Sequence, residues 1–212
     1  MRQPRILITG FSVFPGAPVN PTEHLIHALR SNPADLADLG ELRTEILPVE
    51  YAAVPAILER LGADFAPDIA IHFGLSAKAT GFTLERLARN EIARGKPDNA
   101  GVEPPATSIV NGAAHLPSTL PLQDIASELA SAGLPVAWSD DAGGYLCNYL
   151  FYLSRSPSLP GFAPPVSGFV HVPPAKSAEP DNPHALALED LVRGATTITR
   201  TTARAWASPV LA

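Results

Sequence analysis

Four side chains carry groups that could act together on a carbonyl: Cys147, His171, His72 and Glu85. Cys147 follows Asp140-Asp141-Ala142-Gly143-Gly144-Tyr145-Leu146 and precedes Asn148-Tyr149-Leu150. A glycine turn opening into an apolar run predicts a helix with the thiol in its first turn. There the unpaired backbone N–H groups and the helix dipole favour a thiolate. A free cysteine is also a small hydrophobe that packs in cores, and the local sequence by itself favours that reading. His171, in Gly168-Phe169-Val170-His171-Val172-Pro173, is either a core imidazole or a general base at a strand end. His72, in Ile71-His72-Phe73, has the same setting and is assigned to the core. Glu85, in Leu84-Glu85-Arg86-Leu87-Ala88-Arg89-Asn90, reads by itself as a solvated carboxylate paired with Arg89.

Other chemistries find less support. The chain contains no GxxxxGK[ST], GxGxxG, GxSxG or HExxH pattern. His24 and His27 could share a helix face, but a pair without a further ligand reads as surface histidines rather than a metal site.

The elements that must position these groups follow from periodicity and punctuation. Arg5 to Thr9 predicts a strand and Gly10 to Val19 a loop. Asn20-Pro21-Thr22-Glu23 then starts a helix to about Leu29, with Asn as cap and Pro in the first turn. Leu42 to Leu47 predicts a strand, Val54 to Leu61 a helix, and Ile69 to Phe73 a buried strand. Leu122 to Ala132 is expected as a helix ended by Gly133, and Val136 to Trp138 as a brief strand. The run Leu146 to Leu153 opens a further helix, and Gly168 to Val172 forms a strand. A long helix is expected from His184 to about Ala205, capped by Asp181 or Asn182. The segment 77–121 is less regular and is read as an inserted hairpin with site-building loops. Strands alternating with helices give an α/β class with a largely parallel sheet.

Composition sets the bounds. The 212 residues are 46% hydrophobic, enough for a full core in one domain spanning 1–212. Net charge is −6 and the 15 Lys and Arg are scattered, so a nucleic-acid partner is not expected. No run approaches the ~20 apolar residues of a membrane span, and the Ile-Leu-Ile run near the start is too short for a signal sequence. One cysteine permits no internal disulfide. These features fit a cytoplasmic protein. Of the 23 prolines, eleven cluster at 97–105, 156–165 and 173–183, which are read as rigid loops.

Taken together, the segments around these residues resemble the pyroglutamyl peptidase I (pyrrolidone carboxyl peptidase) family of cysteine peptidases. The resemblance runs through Thr9-Gly10-Phe11, Phe14, Asn20-Pro21-Thr22, Leu47-Pro48-Val49, Pro67 to Leu75, Leu84 to Asn90, Pro97-Asp98-Asn99-Ala100-Gly101, Thr119-Leu120-Pro121, Ala142 to Tyr149, and Gly168 to Pro173. It implies a three-layer α/β/α sandwich with a central mixed sheet, similar to the phosphorylase/hydrolase folds. It implies a catalytic triad of Cys147 as nucleophile, His171 as base and Glu85 as the third member. The substrates it implies are N-terminally pyroglutamylated peptides, cleaved through a thioester. Phe11 and Phe14 fall where the family's loop aromatics hold the lactam ring; as residues alone they could equally be core. The resemblance also implies a homotetramer or homodimer, with no metal and no cofactor.

The sequence departs from the family in places. An arginine usually stands two residues before the Pro-Asp-Asn motif, where this chain has Gly95; Arg94, one place earlier, is the candidate to substitute for it in substrate binding. Glu91-Ile92-Ala93 and Asn111-Gly112 also differ, and the loop after His171 is short. Two further readings follow: a divergent, weakly active or inactive homologue that binds an acyl-peptide or other small ligand, and a ligand-binding protein akin to nucleoside phosphorylases. The latter lacks a glycine-rich or basic phosphate site.

Overall fold

The computed structural model describes residues 2–104 and 107–208. Among these residues, eight strands and five α-helices occur in the order β1 (Arg5–Phe11), α1 (Pro21–Ser31), β2 (Glu41–Leu47), α2 (Ala53–Asp64), β3 (Ile69–Leu75), β4 (Phe82–Glu85), β5 (Leu87–Arg89), β6 (His115–Pro117), α3 (Leu122–Ser131), β7 (Val136–Ser139), α4 (Leu146–Arg155), β8 (Val166–Val172) and α5 (Leu188–Ala207). Six strands form one sheet in the order β2-β1-β3-β8-β4-β7. All neighbours run parallel except β4 and β8, which are antiparallel. The sheet is mixed and largely parallel, as expected.

Strand alternation feeds two cores. Ile6 and Ile8, Ile69, Ile71 and Phe73, Phe82 and Leu84, and Val170 and Val172 meet Leu25, Ile26 and Leu29 of α1, Ile125 and Leu129 of α3, and Leu191, Ala195 and Ile198 of α5. The intervening positions, Leu7, Phe11, Ala70 and Phe169, pack against Val54, Leu58 and Leu61 of α2 and Leu146, Leu150 and Phe151 of α4. The period of two therefore directs Thr9, His72, Gly74, Thr83, Glu85 and His171 to the face that α4 covers.

Most expected elements appear, with boundaries shifted by a few residues. Asn20 caps α1, its Oδ1 accepting from the Thr22 N–H at 3.0 Å. Segment 77–121 does hold a hairpin, β5 with β6, joined by a long connection. It also holds β4, which the sequence reading did not separate from the loops. Glu85 is 1% exposed at the end of β4, so the reading of it as a solvated carboxylate is wrong. The last helix begins at Leu188, not His184, and neither Asp181 nor Asn182 caps it. The Asn182 carboxamide oxygen instead accepts from the His184 N–H at 2.9 Å in a turn. Leu186 is then drawn beside Pro174–Lys176, donating its N–H to Pro174 O and accepting from Lys176 N.

His72 belongs to the core, as expected. It is fully buried, with Nδ1 2.8 Å from Thr9 Oγ1 and Nε2 2.8 Å from Ser154 Oγ; Ser154 Oγ in turn lies 2.6 Å from Ser167 Oγ. Burial among hydroxyls, with no compensating charge, pushes its pKa down to about 3. The native ring stays neutral while the unfolded ring takes up a proton below about 6.5, so its contribution to stability is present above that pH and is lost as pH falls towards 3. Chemical denaturation between pH 6.5 and 4.5 should therefore show the wild type losing stability more steeply than His72→Gln. The slopes should differ by up to about 1.4 kcal/mol per pH unit, the slope for one proton; parallel curves would contradict the assignment.

Candidate active site

The nucleophile candidate is mounted by a turn and a helix end. β7 leads through Ser139-Asp140-Asp141 into the Gly143-Gly144 turn, where Asp141 Oδ1 accepts from the Gly143 N–H at 2.9 Å. α4 then begins at Leu146 with no side-chain cap on its first turn. Cys147 is the second residue of that turn, half-buried, among N–H groups that an incoming carbonyl oxygen can meet.

His171 and Glu85 come from the two antiparallel strands. Thr83 pairs with His171 and Glu85 with Phe169, so Glu85 and His171 are diagonal neighbours on one sheet face. His171 Nδ1 donates to Glu85 Oε1 at 2.7 Å, with the ring 7% and the carboxylate 1% exposed. Glu85 Oε2 is buried with no hydrogen-bond partner among the described residues, so His171 takes the whole of the carboxylate's hydrogen bonding. Burial alone would depress the imidazole pKa. The charge of Cys147 and hydrogen bonds to Cys147 and Glu85 outweigh burial and raise it to about 9. At neutral pH the ring is therefore an imidazolium held between a carboxylate and a sulfur.

Gly74 makes room for this arrangement. It pairs with His171 across the β3–β8 ladder. A Cβ at Gly74 would stand 2.9 Å from Cys147 Sγ and 2.6 Å from the Phe169 ring. The thiol thus rests against a bare backbone beside the imidazole.

Glu85, Cys147 and His171 line one cavity of about 470 Å³. Phe11 and Phe14 form part of its apolar wall, with Val49 and Leu75, and Lys78 and Asp141 also line it. Phe11 is buried and Phe14 half-buried. The structure brings together five of the six residues that the sequence singled out: Phe11, Phe14, Glu85, Cys147 and His171. It does not bring Arg94, which is exposed and outside the cavity lining. The neighbouring Gly95 has φ +75, a left-handed turn that disfavours a side chain, and its N–H donates to Glu103 Oε2 at 3.0 Å. The loop conformation here thus suits glycine at the position where the arginine was expected. His24 and His27 are exposed on α1, and among the described residues no group of three or more His, Cys, Asp or Glu could hold a metal ion. Gly74 and Asn148 were present in the quoted motifs but had been given no role. Their signal was position alone, one opposite the histidine and one directly after the thiol.

Comparison with known proteins shows the family to which the chain belongs. A family model described as pyroglutamyl peptidase matches residues 4–205. The chain is 39% identical to the pyrrolidone-carboxylate peptidase of Pyrococcus furiosus over 80% of each sequence. It is 34% identical to pyrrolidone-carboxylate peptidase 1 of Ralstonia nicotianae over 95% of this chain and 94% of that one. The crystal structure of pyroglutamyl peptidase I from Bacillus amyloliquefaciens superposes with a TM-score of 0.83 at 28% identity, covering 95% of this chain and 98% of that one.

The fit of Cys147 against Gly74 is open to a direct test. Gly74→Ala should displace the sulfur from the imidazole and slow alkylation of Cys147 by iodoacetamide at pH 7 roughly tenfold or more. A folded Gly74→Ala protein that alkylates at the wild-type rate would show that the close contact is immaterial.

Proposed function

The chain belongs to the pyroglutamyl peptidase family, and from that membership we propose that Cys147, His171 and Glu85 act as nucleophile, acid–base group and orienting carboxylate in removing N-terminal pyroglutamate from peptides. The protein is a cysteine-type pyroglutamyl peptidase. The observation that carries the residue assignment is the buried 2.7 Å contact of Glu85 with His171, beside Cys147 in one cavity.

The neutral lactam ring sits between Phe11 and Phe14, where flat aromatic walls suit a flat, uncharged ring. The pyroglutamyl carbonyl meets the uncapped N–H groups at the start of α4, which stabilise the negative oxygen as it forms. Cys147 Sγ attacks the carbonyl carbon as a thiolate, beside the His171 imidazolium, and makes the C–S bond. Collapse of the tetrahedral species breaks the C–N bond, and His171 gives its proton to the departing amine. The now neutral ring takes a proton from water as that water attacks the thioester. Pyroglutamic acid leaves, and Cys147 and His171 return to their starting state. Glu85 holds the ring by its Nδ1–H throughout and steadies the imidazolium.

Arg94 has no part in this mechanism. On the same reading a single catalytic unit spans the chain, requires a reduced thiol, and works as a cytoplasmic homo-oligomer, a dimer or tetramer. No helix among the described residues is long and apolar enough to cross a membrane.

The assay is hydrolysis of a pyroglutamyl coumarinyl amide under reducing conditions, beside Cys147→Ala and an alanyl amide. Release from the pyroglutamyl amide alone, falling by at least about a thousandfold in Cys147→Ala, is expected. Full activity in Cys147→Ala would overturn the mechanism. A folded wild type without activity would move the weight to a divergent family member that binds an acyl-peptide.

A further inference from the structure

Asn148 follows the sulfur directly in the first turn of α4 and is completely buried. Its Oδ1 accepts from the Arg89 N–H at 2.9 Å, and its Nδ2 donates to Arg89 O at 2.8 Å and to Glu91 O at 2.9 Å. Among the described residues, β5 has a strand partner, β6, along one edge only. At the end of β5 the Asn148 carboxamide meets the backbone groups on the other edge, one acceptor and two donor bonds in the manner of a one-residue strand.

This places the contact at a particular junction. The run from Glu85 to Ala93 leaves β4 with the carboxylate pointing at His171 and passes through β5. It then meets the nucleophile's helix at Asn148 and the turn before it, where the Ala93 N–H donates to Gly144 O at 2.8 Å. The outer side of the same run is held by salt bridges. Arg86 grips both carboxylate oxygens of Asp140. Arg89 donates from Nε to Asp140 O at 3.0 Å and pairs with Asp141 at 3.2 Å. The buried Asn148 contacts are therefore the inner half of a clamp, and the Arg86 and Arg89 contacts are its exposed half.

We propose that Asn148 is a positioning residue that registers the Cys147 helix against the strand run carrying Glu85, so that the sulfur and the carboxylate stand at fixed offsets on either side of His171. The proposal rests on the assignment of those three residues above. β8 delivers His171 from the sheet, whereas Cys147 arrives on a helix whose first turn has no side-chain cap of its own. A helix can rotate or slide against a sheet by a fraction of a turn, and a sub-ångström displacement of the sulfur weakens its contact with the imidazolium. The Asn148 bonds to backbone, rather than to a mobile side chain, remove that freedom. No other residue type of this size offers an acceptor and two donors in one plane.

The test compares the wild type with Asn148→Ala and Arg89→Ala in three measurements: steady-state kinetics on the pyroglutamyl amide, the pH dependence of Cys147 alkylation by iodoacetamide, and thermal melting. Asn148→Ala should lower kcat at least about tenfold with KM within about twofold. Its alkylation should slow at neutral pH and its profile should move towards that of an isolated thiol. Arg89→Ala, which loosens only the outer half, should show the same pattern at several-fold. A folded Asn148→Ala that melts lower yet keeps the wild-type kcat and alkylation profile would make the residue merely structural and overturn the proposal. If Asn148→Ala does not fold, Arg89→Ala decides, and wild-type values in both kinetic measurements count against the clamp. Alkylation needs no substrate. A wild type that alkylates as a coupled pair but cleaves no pyroglutamyl amide would thus defeat the substrate reading, while the alkylation profiles still judge Asn148.

Discussion

A carboxylate that is 1% exposed is tolerated in a fold only if something charged or strongly donating meets it, and in this chain that partner is a single imidazole. The Glu85–His171 contact constrains much of what surrounds it. It requires β4 to lie beside β8, and the two run antiparallel in a sheet that is otherwise parallel. The alternation of both strands must send the acid and the base to the face that α4 covers. Gly74 on β3 then leaves room for sulfur on the far side of the ring. The site is thus less a feature of one loop than the meeting point of three strands and one helix end.

Two buried histidines on the same sheet face show how strongly neighbours decide chemistry. His72 and His171 occupy adjacent strands, both almost wholly out of water. His72 meets only hydroxyls, and burial drives it neutral. His171 meets a carboxylate and a thiol, and their pull overcomes the same burial. Residue type and burial are nearly identical; charge within hydrogen-bonding reach separates a packing group from one poised to move a proton.

The fold was largely legible in the sequence because its strands are dense in apolar residues and its helices carry ordinary stop and start signals. Asn20 and the break at Gly133 are examples. What escaped notice was local and tertiary. β4 is only four residues long, and its partner β8 lies far away in sequence, so neither length nor periodicity betrays it. The start of α5 was misplaced because Asn182 spends its side chain on a turn, a competition that a cap rule cannot resolve. The site residues were individually ambiguous: a glutamate between a leucine and an arginine reads as surface until its strand is known. Their grouping came from the family resemblance, and the structure supplies the distances. Arg94, by contrast, is exposed and outside the cavity lining, next to a left-handed turn at Gly95.

The most direct test is an NMR titration of the His171 ring in the wild type and in Glu85→Gln. The account predicts that the ring loses its proton near pH 9 in the wild type, and at distinctly lower pH once the carboxylate is gone. A ring that titrates near the ordinary 6.5 in both proteins would contradict the claim that Glu85 and Cys147 hold it charged.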